Sequence, residues 1–227
     1  PACGSGHFLL AAARRMANEI ARLEAMPDTP NEKQRQHALR EVVQHSIYGV
    51  DRNPLSIELC KTALWIETME PGKPLTFLDP HIRFGDSLVG ILDPKIMEDG
   101  IPDDAYKALS GDDKTVSREL KRRNKQFGKN IHGNLFEPES LQEMTIAAVD
   151  LDAMLEDTVE QIEEKRKAWE TAHEDTARRQ EEFRANLFVG AFFTPKTPEN
   201  IDCVPITEDL NRINKGMESR RCLEKAV

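Results

Sequence analysis

The first 92 residues predict an α/β fold built on a parallel sheet, and a long charged helical segment follows them. Two short β-rich runs, at residues 47–51 and 82–90, alternate with amphipathic segments. The first run ends at Asp51 and the second contains Asp86. Strand, helix and strand in this order predict parallel strands joined by a crossover helix.

Helical spacing supports each helix of this first region. Residues 7–26 place apolar side chains three or four positions apart and stop before Pro27, and residues 32–45 form a second segment of this kind. Asn53 and Pro54 suit the N-cap and the first position of a third helix, which follows the first β-rich run.

The character of the chain changes near Asp93. A basic run at residues 114–129 is predicted to be helical, and residues 138–187 contain no glycine or proline after the first position. We expect this charged segment to form one long helix or two joined ones, with a bend near residues 166–173 and with the basic helix near Lys121 covering its apolar stripe. The stripe comprises Ala148, Leu151, Leu155, Val159, Ile162 and Trp169.

These changes predict three parts. Residues 1–92 form a partial α/β core, residues 93–198 form a mostly α-helical insertion that projects from it or folds back as a hairpin, and residues 199–227 form a C-terminal helix.

Composition narrows the class of protein. The four cysteines are scattered without a CxxC spacing, so we expect reduced thiols of a cytoplasmic protein and no metal site. No apolar stretch approaches the roughly 20 residues that a membrane span needs.

Charge is unevenly distributed along the chain. The net charge is −9, and residues 139–182 alone carry 14 acidic and 5 basic side chains. This acidity argues against a chain that grips DNA by itself. The basic run supplies Lys121, Arg122 and Arg123 as candidate contacts to the DNA backbone, and a solvated helix face is the competing and preferred interpretation.

Residues 1–10, PACGSGHFLL, predict a ligand-binding turn. Gly4 and Gly6 allow positive φ angles and close approach to a ligand, and the following helix offers unpaired N–H groups. The Asp51 carboxylate suits the hydroxyls of a ribose. Asp51 lies 45 residues after Gly6, however, whereas in dinucleotide-binding folds the acidic residue follows the glycines by about 20 residues. Leu9 also stands where a third glycine would be. A nucleoside ligand without a pyrophosphate is therefore preferred, with Asp86 accepting a hydrogen bond from an exocyclic amine such as adenine N6.

Three stretches carry a resemblance to a known family. PACGSGHFL, IYGVDRNPLSIELCKTALWIE and HIRFGDSLVG resemble motifs I, II and III of amino-type DNA methyltransferases. They are most similar to the large adenine-N6 enzymes of fused, type IIG-like restriction–modification and phage-defence systems. The resemblance implies a truncated Rossmann-like core that binds S-adenosylmethionine, methyl transfer to adenine N6 in double-stranded DNA, and DNA as the partner of the full-length enzyme.

The resemblance also implies roles for single residues. Pro1, Ala2, Cys3, Gly4, Ser5 and Gly6 would surround the methionine part of the cofactor, with Cys3 as a small spacer. Asp51 would hold the ribose, Arg52 and Pro54 would flank the adenine, and Asp86 with Ser87 would contact its edge.

One motif of this family is absent from the sequence. The enzymes use an (Asn/Asp)-Pro-Pro-aromatic loop to hold the target base, and neither Asn53-Pro54-Leu55 nor Asp79-Pro80-His81 fits it. We expect the loop beyond Val227 and the chain to begin inside motif I, so these residues alone would not turn over. No catalytic residue is therefore assigned. The alternatives are an NAD-dependent oxidoreductase domain and a non-catalytic helical interaction module.

Overall fold

The computed structural model describes residues 2–127, 150–174, 176–214 and 223. Two strands, β1 (Gly49–Asp51) and β2 (Ile82–Phe84), are accompanied by α1 (His7–Glu24), α2 (Glu32–Ser46), α3 (Pro54–Glu67), α4 (Lys114–Phe127), α5 (Val159–Glu174), α6 (Thr176–Phe193) and α7 (Thr207–Asn214). Two short 3₁₀ helices span Pro94–Met97 and Asp103–Tyr106.

The helices predicted for the first region are confirmed. A reciprocal capping box starts α2, because Asn31 accepts from the Gln34 N–H at 3.0 Å and the Gln34 side chain accepts from the Asn31 N–H at 2.9 Å. Helix α3 begins as its sequence predicts, with Pro54 in its first turn and Asn53 accepting from the Leu55 N–H at 3.0 Å.

The sheet has β1 between two parallel neighbours. Strand β2 pairs with it in the register Gly49↔Ile82, Val50↔Arg83 and Asp51↔Phe84. Ala2 forms an isolated parallel bridge to Val50, and the Cys3 N–H donates to the Val50 carbonyl at 3.0 Å. Because successive carbonyls of a strand point to opposite edges, residues 2–3 lie on the edge of β1 away from β2. The predicted parallel pairing is present, with shorter strands than expected.

Contacts divide the chain into two compact units. The first comprises Pro1–Leu88 and Thr145–His173, and the second comprises Val89–Met144 and Glu174–Val227. Ala13, Ala17 and Ala21 are buried on one face of α1, and these small side chains let it approach α2 closely. Side chains from α2, α3, β2 and the segments next to them complete the core of the first unit: Ala38, Leu39, Val42, Val43, Ile47, Ile57, Cys60, Leu64, Leu78 and Ile82.

The charged segment is predicted to form one long helix or two joined ones. Residues 154–158 are not helical, and the helices that follow are α5 (Val159–Glu174) and α6 (Thr176–Phe193). Leu155 and Val159, two members of the expected apolar stripe, are exposed, whereas Ile162 is buried. Glu156 explains this difference from the helical pattern. Its side chain is buried and accepts hydrogen bonds from Gln44 and Phe77 of the first unit, and these bonds hold the segment around it.

The predicted insertion, residues 93–198, contributes residues to both units, and its existence as a separate part stays a prediction. Residues 145–173 belong to the first unit, whose described part of this segment is residues 150–173, and α6 belongs to the second. Residues 166–173, where a bend is predicted, lie within helix α5.

The second unit has its own apolar core and a buried polar tie. The Asn124 amide donates to the Ile101 carbonyl at 2.7 Å, and its oxygen accepts from the Thr207 N–H at 2.8 Å. Tyr106 donates to the Pro205 carbonyl at 2.8 Å. The core residues are Met97, Ile101, Ala105, Tyr106, Val116, Leu120, Leu187, Phe188, Ala191, Val204, Ile206, Leu210 and Leu223.

Candidate cofactor-binding site

The glycine turn joins the sheet to α1. Gly4 and Gly6 have φ angles of 54° and 85°, which favour glycine, and the Gly6 N–H closes the turn onto the Cys3 carbonyl at 3.0 Å. Gly6 is the N-cap residue of α1. The first peptide groups of the helix therefore follow the turn directly, as in a site for a polar or anionic ligand group.

Close packing beneath the turn explains two of the glycines. A Cβ atom on Gly6 would lie 2.8 Å from the Cys60 Sγ atom of α3, and one on Gly49 would lie 2.8 Å from the Leu9 side chain. A Cβ atom on Gly4 would meet nothing within 4 Å. The turn is thus packed on its inner side at Gly6 and open at Gly4, where a ligand has room to approach.

Asp51 connects the turn to the end of β1. Its Oδ2 atom accepts from the Gly4 N–H at 2.8 Å, and its Oδ1 atom accepts from the Asn53 N–H at 2.8 Å. These two N–H groups, that of Asn53 first, hold the pKa of the Asp51 carboxyl below its ordinary value. The structure therefore brings together two predicted site residues that lie 47 positions apart, Gly4 and Asp51.

Asp86 follows β2 as Asp51 ends β1. Its Oδ2 atom lies 3.5 Å from the Arg52 guanidinium, and its Oδ1 atom accepts from the Leu88 N–H at 2.9 Å. Because β1 and β2 are parallel, both aspartates lie at the same edge of the sheet. Arg52 and Ser87 are exposed there. Pro54 begins α3, and Pro1 lies outside the described residues.

The sequence interpretation missed a set of exposed apolar side chains beside these polar residues. Phe8 is 76% exposed, Leu55 is 64% exposed and Phe84 is 70% exposed. Each stands within four positions of Gly6, Asp51 or Asp86 along the chain. Large apolar groups next to ligand-binding positions would have been the signal, since such groups can pack against the faces of a heterocyclic base.

The thiols near the turn are poor nucleophiles. Burial raises the pKa of Cys3, and burial raises the pKa of Cys60 to about 12. A thiol must lose its proton to act as a nucleophile or a metal ligand, so these values favour a packing role for both residues.

Acidic side chains form ion pairs with several basic residues of α4, the run that offers candidate DNA contacts. Arg122 and Arg123 both bind Glu119, at 2.8 and 3.0 Å. Lys121 and Lys125 both lie near Asp103, at 3.5 and 3.2 Å. These acidic partners reduce the net positive charge that α4 presents.

Two kinds of feature are absent from the described part of the chain. No group of three or more His, Cys, Asp or Glu side chains there could hold a metal ion. No helix among these residues is long and apolar enough to cross a membrane.

Comparison with known proteins gives a partial relationship. The chain is similar to a protein of Methanocaldococcus jannaschii that is provisionally named as a type II restriction enzyme and methyltransferase, with 29% identity over 111 residues. The match covers 43% of this chain and 9% of the length of that relative. No family profile matches the chain, and no solved structure matches it. The similarity relates the chain to a restriction–modification protein.

Proposed function

We propose that these residues form the S-adenosylmethionine-binding part of a DNA methyltransferase of a restriction–modification or phage-defence system. The observation that carries the proposal is the hydrogen bond between Gly4 and Asp51, which places a glycine turn and a strand-end carboxylate at one site. The name of the relative describes a methyltransferase, which supports the same class of enzyme.

The residues fit the cofactor in three respects. The open space at Gly4 suits the methionine part, and each Asp51 oxygen keeps a lone pair for a ribose hydroxyl. Asp86 presents a carboxylate that can accept a hydrogen bond from an adenine amine. S-adenosylmethionine supplies an activated methyl group on its sulfonium centre.

The arrangement fits a dinucleotide less well. The pyrophosphate of NAD requires close approach of the backbone near a third glycine. Leu9 stands at that position, and its side chain packs against Gly49 of β1. We also propose a Rossmann-like core, in which further strands extend the sheet beyond residues 2–3.

The proposed reaction at the level of the whole enzyme is transfer of the methyl group to adenine N6 in double-stranded DNA. The (Asn/Asp)-Pro-Pro-aromatic motif is absent from this sequence. The part of the reaction proposed for the residues described here is to bind and orient the cofactor.

The test is methylation of DNA by the full-length protein with methyl-labelled S-adenosylmethionine, followed by separation of the nucleosides. Label in N6-methyl-2′-deoxyadenosine supports the proposal in full. Label in N4-methyl-2′-deoxycytidine alone would keep the enzyme class and overturn the target base. Specific binding of NAD without any binding of S-adenosylmethionine would overturn the class.

A further inference from the structure

Asp51 uses both carboxylate oxygens to hold the backbone on either side of the site. One oxygen accepts from Gly4 in the turn and the other from Asn53 at the start of α3, each at 2.8 Å. The residue is 9% exposed and both hydrogen bonds are partly buried. Asp51 therefore joins the glycine turn to the segment that follows β1.

Gly4 lies in a turn that the Gly6 N–H closes onto the Cys3 carbonyl at 3.0 Å, and the Asp51 carboxylate is the side chain that binds the Gly4 N–H. The φ of 54° at Gly4 is a left-handed conformation that is not fixed by packing, because the space next to its Cα atom is open. Cys3 on one side is held by β1, and Gly6 on the other side packs against Cys60. The Gly4 peptide between them is held by the Asp51 carboxylate.

We infer that Asp51 is a positioning residue for the glycine turn, and that this role is separate from any contact to the ribose. The inference rests on the proposed function for the identity of the ligand. It predicts that Asp51 is needed even for a ligand that offers it no hydroxyl. An asparagine cannot replace it, because the Gly4 and Asn53 N–H groups face different oxygens of Asp51 and the amide NH₂ of asparagine would face one of these donors.

The binding test compares two probes on the full-length protein, S-adenosylhomocysteine and its 2′,3′-dideoxy analogue. The Asp51→Asn variant should weaken binding of both probes, each by about tenfold, the factor expected for losing one charge-assisted hydrogen bond that shapes the site. Calorimetry measures both affinities. An unchanged affinity for the dideoxy analogue would reduce Asp51 to a ribose ligand and overturn the inference.

Amide hydrogen exchange with residue-level fragmentation tests the same inference without any ligand. In the wild-type protein the Gly4 and Asn53 amides should be protected, and in Asp51→Asn at least one should exchange about tenfold faster or more. The Cys3 amide, which bonds to Val50, should keep its protection and serves as the internal control. Asp86→Asn is the matched control for Asp51→Asn, because it removes a nearby carboxylate charge and leaves the hydrogen bond of the Gly4 N–H intact.

The outcomes separate the inference from the proposed function. If the protein does not bind S-adenosylhomocysteine but its Gly4 amide is protected, the proposed function is contradicted and the positioning role of Asp51 still holds. A Gly4 amide that exchanges freely in the wild-type protein would overturn the positioning role, whatever the protein binds, and this measurement holds even if Asp51→Asn does not fold.

Discussion

Glu156 and Lys165 form a buried ion pair, with 2.7 Å between Oε1 and Nζ and side chains only 2% and 1% exposed. The other Glu156 oxygen accepts from the Gln44 amide and from the Phe77 N–H, each at 3.0 Å. The Arg40 guanidinium donates to the Glu156 carbonyl at 2.9 Å. These contacts connect the segment that contains Glu156 to α2 and to residue 77 within the first unit.

We expect Glu156→Gln to destabilise the first unit by about 3–5 kcal/mol, because it leaves the Lys165 ammonium buried without its counter-charge. Glu163→Gln is the matched control, since its pair with Arg166 is half exposed and should contribute about 0–1 kcal/mol. Urea unfolding measures both free energies. Equal effects of the two substitutions would show that the network does not hold this segment.

Gly6→Ala should destabilise the protein more than Gly72→Ala. Both glycines have φ near 85°, but only a Cβ on Gly6 would meet Cys60, at 2.8 Å. The difference should be about 1–3 kcal/mol, the range for overpacking in a core. Adding Cys60→Ala to Gly6→Ala should recover part of this difference in a thermal unfolding experiment. No recovery would mean that the contact with α3 does not explain the glycine.

The pH dependence of stability should contain a contribution from His81. Burial lowers the pKa of its imidazole below the ordinary value of 6.5, against the opposing effect of its hydrogen bond with the Ile47 carbonyl. Asp152, Glu156 and Lys165 also act on it, and Tyr48 stacks on the ring. The unfolded chain therefore binds the proton first, and stability is lost as pH falls below about 6.5, by at most about 1.4 kcal/mol per pH unit.

The control for this prediction is His81→Phe, which keeps a ring against Tyr48 and removes the titration. The measurement is the free energy of unfolding between pH 7 and pH 5 for both proteins. The variant should show a flatter dependence, and identical slopes would exclude His81 as the source.

DNA binding by the full-length protein tests the basic helix α4. If it lies along the DNA backbone, replacing Arg122 and Arg123 with Gln should weaken binding similarly for all sequences and lower the salt slope by about one for each phosphate that the variant no longer neutralises. Glu119→Gln removes the shared partner of both arginines and should strengthen binding under the same hypothesis. An unchanged slope in all variants would identify α4 as a solvated face.

Local sequence patterns predicted the helices of the first region, because the residues that start and end a helix act over short distances. Asn53 and Pro54 define a helix start by their own chemistry, and Gly6 allows a backbone angle that other residues rarely adopt. Which two partners Asp51 would bind was not predictable in this way. The hydrogen bond to Gly4 depends on the parallel pairing that brings residue 2 beside Val50.

The spacing of apolar residues did not predict which side chains of the charged segment are buried. Glu156 holds this segment in place, although the pattern assigns this charged residue to a solvated face. Arg40, which donates to the Glu156 carbonyl, lies 116 positions earlier in the chain. Burial of such groups is decided by long-range pairing, and a periodicity of apolar residues carries no information about it. Leu155 and Val159 consequently lie exposed although they fit the stripe.

Binding of S-adenosylmethionine to the full-length protein tests the central claim most directly. Calorimetry with S-adenosylmethionine, S-adenosylhomocysteine and NAD should show binding of the first two in preference to NAD, and Asp51→Ala should weaken that binding by about 1.5–3 kcal/mol. Glu163→Gln, remote in the sequence from the glycine turn, should leave the affinities unchanged. Tight binding of NAD with no binding of S-adenosylmethionine would contradict the assignment of this site.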